Sequence, residues 1–306
     1  MTIENTDSSQ LIPIREVSKL TGVNAVTLRA WERRYGLIKP HRTAKGHRLY
    51  SSDHIQLINQ IVEWINRGVA VSKVKGLLAR QSNQPNTIET PSTKSTNSEQ
   101  WLSYQEQIST AVQHFNESKL DDLCNQALAI YPVNTVGDSL LLPVLKTLEN
   151  TRQNEYGSQA EWIFFYQYLH NKLNIKLYHA NKQATGDKLL LIAPPTESTD
   201  IYLFFPALIA VSYNYQIQLF GPHLPINEIS YITTNAHFDS VILVSHHAMS
   251  TLFQREIPQL LNTIDKPLGV IGDASTIHAN QLDSLGILHS TELNTNFLAT
   301  LVKSQQ

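Results

Sequence analysis

The residues with the most definite chemistry are positive charges concentrated in one short stretch. Residues 29–48, RAWERRYGLIKPHRTAKGHR, hold seven Lys or Arg and one acid, Glu32, in a chain whose formal net charge is −2. Guanidinium and ammonium groups gathered on one surface bind polyanions, and the phosphates of a nucleic acid are the commonest such partner. The stretch therefore predicts a surface that contacts a phosphate backbone.

The same imbalance of charge extends over the first quarter of the chain. Residues 11–80 carry 13 Lys or Arg and 4 Asp or Glu, a net charge of +9. Residues 81–306 carry 11 cations and 20 acids, a net charge of −9, and Glu4 and Asp7 complete the total. A basic segment joined to an acidic body favours double-stranded DNA or another nucleic acid as the partner of the basic segment.

The turn signals around the cations predict a winged helix-turn-helix. Apolar residues recur at helical spacing from Ile14, and Asn24 is a good N-cap for a second helix that ends at Gly36. Gly46 lies between two short extended segments that predict a hairpin, the wing. An ordinary solvated charged face is the alternative interpretation, but it does not account for these turn residues.

The second helix and the wing supply the predicted DNA contacts. Leu28 and Trp31 are expected on the core side of the helix, although Trp31 has DNA contact as an alternative role. The side chains predicted to reach phosphates or base edges are Asn24, Thr27, Arg29, Arg33, Arg34, Arg42, Lys45 and Arg48.

The remaining chain predicts two further domains and a tether. Residues 81–98 are rich in Ser, Thr, Asn, Gln and Pro, which is typical of a flexible linker. Residues 99–182 show four apolar-periodic stretches and predict a helical bundle. In residues 183–306, five short apolar runs alternate with helical stretches, which predicts a doubly wound, Rossmann-like parallel sheet. The fold class is therefore multidomain α and α/β, with the winged helix-turn-helix at 11–80.

Composition argues against several classes of protein. No apolar run approaches the ~18 residues that cross a bilayer, and the first residues do not form a signal peptide, so a cytoplasmic protein without a membrane partner is expected. The single cysteine, Cys124, forms no internal disulfide, and no Cys or His spacing predicts a metal site. Ser245 lacks a G-x-S-x-G elbow, and the first strand is followed by PPTEST in place of G-x-G-x-x-G, so no catalytic residues and no enzyme activity are predicted.

The segment VSKLTGVNAVTLRAWERRYGLIKPHRTAKGHRLYSSDHIQLI resembles the DNA-binding domain of MerR-type transcription regulators over about 70 residues. The resemblance implies a winged helix-turn-helix, a homodimer or higher homo-oligomer on a roughly palindromic operator, and distortion of promoter DNA, which makes RNA polymerase a further candidate partner. It adds Tyr50 to the predicted DNA-binding residues. The helix VSKVKGLLAR is short compared with the dimerisation helix of many members, so assembly is expected from the body.

The helical bundle followed by a doubly wound domain resembles the light-sensing, cobalamin-binding repressors of the MerR superfamily. That resemblance implies two motifs. In the first, a Trp is followed after nine residues by Glu-His, and these side chains cover one face of cobalamin. In the second, a Glu/Asp-x-His-x-x-Gly loop supplies the histidine that ligates cobalt. In this chain the corresponding positions are degenerate, and they are Asn154, Phe164, Phe165, Thr199 and Tyr202. A threonine hydroxyl is a poor cobalt ligand, and the aromatic side chains occupy volume that cobalamin fills in the relatives.

The sequence therefore predicts a DNA-binding transcription regulator whose C-terminal domain has lost cobalamin and serves oligomerisation or the sensing of a partner or effector. No cofactor is expected. The alternative is a sensor-repressor that binds a different effector, or a corrinoid through a non-standard site. His246 and His247 are candidates for such a site, although they follow the third strand of the sheet and not the first.

Overall fold

The computed structural model describes residues 11–81, 94–153 and 156–303. These residues form two compact units, and the division falls between Phe165 and Tyr166, inside one long helix. The first unit contains the winged helix-turn-helix and most of the helical bundle, and the second contains the sheet domain.

The N-terminal part of the first unit is a small helical domain with a three-stranded antiparallel sheet. Its second helix continues as a single π-helical turn over Trp31–Tyr35, and its strands are ordered β1-β3-β2. The elements are β1 (Ile12–Pro13), α1 (Ile14–Thr21), α2 (Ala25–Ala30), β2 (His41–Arg42), β3 (Arg48–Tyr50), α3 (Ser52–Asn66) and α4 (Val71–Gln81).

Apolar residues at helical spacing close the core of this small domain. Side chains from all four helices are almost fully buried, because each helix turns its apolar stripe inward. The largest contributors are Val17, Leu28, Trp31, Ile58, Ile61, Ile65 and Val74. The domain therefore has a hydrophobic core of its own.

The rest of the first unit is helical. Asn116 caps the second bundle helix, since its side chain accepts a hydrogen bond from the Lys119 N–H at 3.0 Å. The elements are α5 (Lys94–Gln113), α6 (Glu117–Ile130), α7 (Val133–Val136), a π-helical turn (Gly137–Leu141), α8 (Leu142–Thr151) and α9 (Ser158–Asn181), which runs into the second unit.

The second unit is a five-stranded parallel sheet in the order β5-β4-β6-β7-β8, with a helix between successive strands. Strands β4, β6 and β7 are buried almost throughout, as continuous apolar runs covered on both faces should be. The elements are β4 (Lys188–Ile192), α10 (Ile201–Ser212), β5 (Gln216–Phe220), α11 (Ile226–Asn235), β6 (Ser240–Val244), α12 (Thr251–Thr263), β7 (Leu268–Ile271), α13 (Ala274–Ile277), α14 (Ala279–Ser284), β8 (Leu288–Ser290) and α15 (Thr295–Lys303).

The predicted fold class is confirmed, while some boundaries fall elsewhere. All five apolar runs of the body are parallel strands. The predicted tether at 81–98 lies mostly outside the described residues, and α5 already begins at Lys94. The second unit begins at Tyr166 and not at residue 183, because the C-terminal half of α9 bonds to the sheet domain: Asn181 exchanges two hydrogen bonds of 2.7 Å with the Ile217 backbone.

Candidate nucleic-acid interface

The candidate recognition helix, α2, begins at Asn24. The Asn24 side-chain oxygen accepts hydrogen bonds from the N–H groups of Val26 and Thr27, both at 2.9 Å. The π-helical turn that follows ends at Gly36, whose φ of +57° lies in the left-handed region that favours glycine. The oxygen of Asn24, predicted to reach DNA, is therefore engaged in starting the helix.

Three of the predicted DNA-binding arginines are exposed along this helix and its π-helical turn. Arg29, Arg33 and Arg34 are exposed to solvent, while Leu28 and Trp31 are fully buried in the core. Core packing is thus confirmed for Trp31, and DNA contact through its ring is not available in this conformation. The arginines form a cationic surface on the outer side of the helix.

The wing presents a further cation at its tip. Lys45 and Gly46 lie in a turn closed by hydrogen bonds from the Gly46 N–H to the Thr43 carbonyl at 2.8 Å and from the Thr43 N–H to the His47 carbonyl at 2.9 Å. Lys45 is exposed, as expected for a phosphate contact. The predicted hairpin is confirmed by the pairing of β2 with β3.

Glu32 connects the wing to the recognition helix. Its Oε1 accepts from Arg42 Nη2 at 2.6 Å, and its Oε2 accepts from Arg48 Nε at 2.5 Å. Burial alone would raise the pKa of Glu32, but hydrogen bonds and positive charge from Arg48 and Arg42 outweigh it, so the pKa of this carboxyl lies below its ordinary value. The only acid of the cationic stretch therefore has a structural role that the sequence analysis did not assign.

The Glu32 contact changes how the two wing arginines can act on DNA. The Arg48 side chain is only 20% exposed, whereas Arg42 is 50% exposed. Each guanidinium has five N–H donors, so Arg42 retains donors that face solvent, and Arg48 retains few. Phosphate contact stays a prediction for both, and Arg48 is better placed to orient the wing than to bind DNA.

Two predicted DNA-binding residues are buried, which corrects their assignment. Thr27 and Tyr50 both have 0% exposure, and neither hydroxyl has a hydrogen-bond partner among the described residues. Tyr50 packs edge-on against His54, with ring centroids 5.9 Å apart, and burial raises the pKa of its hydroxyl. Both side chains therefore belong to the interior in this conformation.

The small domain also contacts the bundle within the first unit. Helix α2 packs against α6, and the indole N–H of Trp31 donates to the Ile130 carbonyl at 2.9 Å. Close by in the same unit, Thr135 Oγ1 donates to Asn66 Oδ1 at 3.3 Å. Nothing in the local sequence pattern predicted these contacts, since they join residues 69 to 99 positions apart.

The second candidate region is the carboxyl edge of the parallel sheet. Ligands of doubly wound domains bind there, next to the point where the strand order reverses, which here lies between β4 and β6. Glu197, in the loop after β4, is buried and accepts hydrogen bonds from Ser245 Oγ at 2.8 Å and from the backbone N–H groups of His246 and His247 at 2.8 and 3.1 Å. Its second oxygen lies 2.9 Å from His247 Nδ1.

These contacts make the edge a closed polar network. His246 packs against Tyr202, with ring centroids 4.7 Å apart and the ring planes tilted by 38°, and its Nδ1 lies 3.7 Å from an oxygen of Asp273. Gly272 has a φ of +98°, and a Cβ there would lie 2.3 Å from the Ser245 carbonyl oxygen, so only glycine allows the loops after β6 and β7 to approach so closely. The histidines are thus held by neighbours within the protein.

The degenerate cofactor positions do not match the donor set of a cobalt site. Thr199 is buried, and its hydroxyl accepts a hydrogen bond from the Ile201 N–H at 3.2 Å, at the start of α10. Tyr202 is 3% exposed. In the first unit Phe165 is fully buried, whereas Phe164 is only half-buried and meets the ring of Phe115 edge-on. The position Asn154 lies outside the described residues.

A polar cluster on α9 was missed by the sequence analysis. The Tyr166 hydroxyl donates to Asp200 Oδ1 at 2.9 Å, and His170 Nε2 lies 3.2 Å from Asp200 Oδ2. Burial and the Asp200 carboxylate raise the pKa of Tyr166 to about 12. Its members lie 30 and 34 residues from Asp200, so no local motif indicated the cluster.

Residues 11–81, 94–153 and 156–303 contain neither a candidate metal cluster nor a membrane-spanning helix. No group of three or more His, Cys, Asp or Glu side chains is arranged to hold a metal ion there. No described helix combines the length and apolar character needed to cross a bilayer.

Comparison with known proteins identifies relatives of both parts of the chain. A family model described as "MerR HTH family regulatory protein" matches residues 12–81. The HTH-type transcriptional regulator MlrA of Escherichia coli (strain K12) is 39% identical over 139 residues, which cover 45% of this chain and 52% of that protein. The chain thus spans about half the length of the MlrA proteins that it matches.

The match to a second relative is longer and more distant. The HTH-type transcriptional repressor CarH of Myxococcus xanthus is 24% identical over 231 residues, which cover 71% of this chain and 72% of that protein. A solved structure, that of the monomethylamine corrinoid protein of Methanosarcina barkeri, aligns at 13% identity with a TM-score of 0.48, over 66% of this chain and 99% of its own.

Proposed function

We propose that this chain, whose residues 12–81 match the model of the MerR HTH regulatory family, is a sequence-specific transcription regulator that binds promoter DNA as a homo-oligomer. The observation that carries the proposal is the exposed row of Arg29, Arg33 and Arg34 on a capped recognition helix, beside a wing held to that helix by Glu32. Two cationic surfaces side by side can contact phosphates on both sides of a groove.

Selection of bound sequences from random double-stranded DNA, with the full-length protein, tests this function. We expect enrichment of one motif with two related half-sites, because a two-fold oligomer reads its half-site twice. Mass measurement in solution should give at least a dimer. Recovery of unrelated sequences, bound no better than the starting pool, would contradict sequence-specific regulation.

For the body, we infer that cobalamin is absent and that the domain serves oligomerisation or the sensing of a partner or effector. The support lies in the donor set: Thr199 stands where a histidine would be needed, and its hydroxyl is engaged at the start of α10. Tyr202 is buried, and its ring packs against that of His246. Neither side chain offers an imidazole nitrogen to cobalt.

Absorption spectroscopy tests the absence of cobalamin. Purified protein is incubated with adenosylcobalamin in the dark, separated by gel filtration and scanned in the ultraviolet and visible range. We expect the corrinoid band to elute with the free cofactor. Co-elution of a stoichiometric corrinoid band with the protein would support the alternative function instead.

The alternative is a sensor-repressor that binds an effector at the sheet edge through a non-standard site. His246 and His247 favour this alternative, because they bring two imidazoles to the edge where doubly wound domains bind ligands. If a corrinoid co-elutes, a His246→Ala or His247→Ala variant that loses the band would identify the ligating residue.

A further inference from the structure

At the N-terminal end of the recognition helix, the two polar side chains predicted to reach DNA, Asn24 and Thr27, are not available for base contacts in this conformation. The Asn24 side-chain oxygen is engaged by two backbone N–H groups, and Thr27 is fully buried. Within α2 the exposed side chains are those of Val26 and Arg29. Val26, which is 57% exposed, is therefore the side chain that the first turn presents to a DNA duplex.

Val26 lies on the same side of the helix as Arg29. Arg29 follows it by three residues, which is the spacing of neighbours on one face of an α-helix, and both side chains are exposed. Leu28, two residues after Val26, is on the opposite, buried side. Val26 is thus an exposed apolar side chain beside a cation, and it is not part of the buried core. We therefore expect it to contact the same partner as the cationic surface.

The chemistry of the major groove limits what valine can recognise. Side chains at the N-terminal end of a recognition helix contact base edges, and valine can neither donate nor accept a hydrogen bond. The 5-methyl group of thymine is the apolar feature that base pairs present in the major groove. We propose that Val26 is a specificity-determining residue that packs on a thymine methyl in each half-site, an inference that rests on the proposed DNA-binding function.

Replacement of thymine by deoxyuridine tests the inference, because it removes the methyl group and leaves the hydrogen-bonding edges unchanged. In a duplex carrying the selected motif, each thymine is replaced singly, and affinities are measured with the full-length protein at one salt concentration. At one position per half-site we expect about fourfold weaker binding, the equivalent of about 0.8 kcal/mol for one buried methyl group. The Val26→Ala variant should bind both duplexes equally.

Leu20→Ala is the matched control. Leu20 is 59% exposed on α1, outside the recognition helix, so this variant should keep the fourfold preference for thymine. Alanine favours helix at position 26, and Val26 is not one of the buried core side chains, so folding of Val26→Ala is expected to be unaffected. The inference is overturned if no thymine is sensitive to replacement, or if Val26→Ala retains the preference. Failure of the selection itself would instead overturn the proposed function.

Discussion

At the scale of single residues, charge placement matters more than charge number. Glu32 is the one acid among seven cations, and it binds two of them. The wing arginines are thereby fixed in direction, while the helix arginines and Lys45 remain exposed. All six of the predicted DNA-binding cations were assigned the same kind of contact, whereas in the structure Arg42 and Arg48 also hold the wing through Glu32.

Replacement of Glu32 by Gln should destabilise the first unit. Glu32→Gln removes the charge that holds Arg42 and Arg48, and charge-assisted hydrogen bonds contribute ~1.5–3 kcal/mol each when shielded from water. Because both arginines are partly exposed, we expect a loss of about 1–2 kcal/mol in total. Urea unfolding followed by tryptophan fluorescence measures it, since all four tryptophans lie before residue 166.

The pH dependence of the stability difference between wild type and Glu32→Gln tests whether the charge of Glu32 causes it. The pKa of Glu32 is lower in the folded chain than its ordinary value of 4.5, so its contribution is fully present above pH 4.5 and is lost as pH falls through the folded pKa. The difference between wild type and Glu32→Gln should therefore shrink in acid. A difference that is independent of pH would mean that the charge of Glu32 does not stabilise the wing.

Lys45 belongs to the solvent-facing group and should contribute to affinity through salt-dependent phosphate contact. In Lys45→Ala we expect the slope of log affinity against log salt to fall in magnitude by about 0.9, the value for one phosphate contact. Arg42→Ala should behave similarly, and Arg48→Ala should change the slope less, since Arg48 is largely shielded. Lys182→Ala, an exposed cation of the sheet domain, is the control. An unchanged slope for Lys45→Ala would remove it from the interface.

At the scale of elements, sequence patterns predicted the caps, turns and strands that depend on neighbouring residues. The cap at Asn24, the turn at Gly46 and the five parallel strands all follow from short-range signals, and the structure contains each of them. Contacts between distant segments were not predictable: burial of Thr27 depends on packing that its polarity does not reveal. The network around Glu197 likewise joins residues 48 to 50 positions apart, which only the fold brings together.

The contact between the small domain and the bundle should weaken at high pH through Tyr131. Burial, and then the nearby Tyr35 and Tyr104, raise the pKa of Tyr131 from 10.0 to about 12. A raised folded pKa means that this stability is fully present below pH 10 and is lost as pH rises towards 12. Relative to Tyr131→Phe, the wild type should lose up to about 1.4 kcal/mol per pH unit in that window.

Urea unfolding of both proteins at about pH 8, 10 and 11 measures the effect of Tyr131, with tryptophan fluorescence as the probe. The first pH lies below the window set by the ordinary pKa of 10.0 and the folded pKa of about 12, and the other two cover its lower half. Phenylalanine preserves the ring that packs against Trp101, with centroids 4.7 Å apart, so the comparison isolates the hydroxyl. At pH 8 the variant should be less stable by about 1 kcal/mol, because a hydrogen bond with the Val71 backbone is lost. Parallel pH dependence in both proteins would contradict the assignment.

At the scale of the whole molecule, the distribution of charge indicates different roles for the basic domain and the acidic body. Residues 11–80 carry a net charge of +9, and residues 81–306 carry −9. The negative charge of DNA is repelled by the acidic body and attracted by the basic domain. We therefore expect DNA to be contacted through the basic domain. The body is then free to join copies of the chain, which is the arrangement that the proposed regulator requires.

Joined copies should make affinity depend on the helical phase of the two half-sites. An insertion of about 5 base pairs between them turns one half-site to the opposite side of the duplex, whereas an insertion of about 10 restores its direction. Linked binding raises affinity by about 10²–10⁴ when both sites can be engaged together. We therefore expect the half-turn insertion to weaken binding at least tenfold more than the full-turn insertion, as measured by fluorescence anisotropy. Equal affinity for the two insertions and for an isolated half-site would show that each chain binds alone, which would contradict regulation by a homo-oligomer while leaving DNA recognition intact.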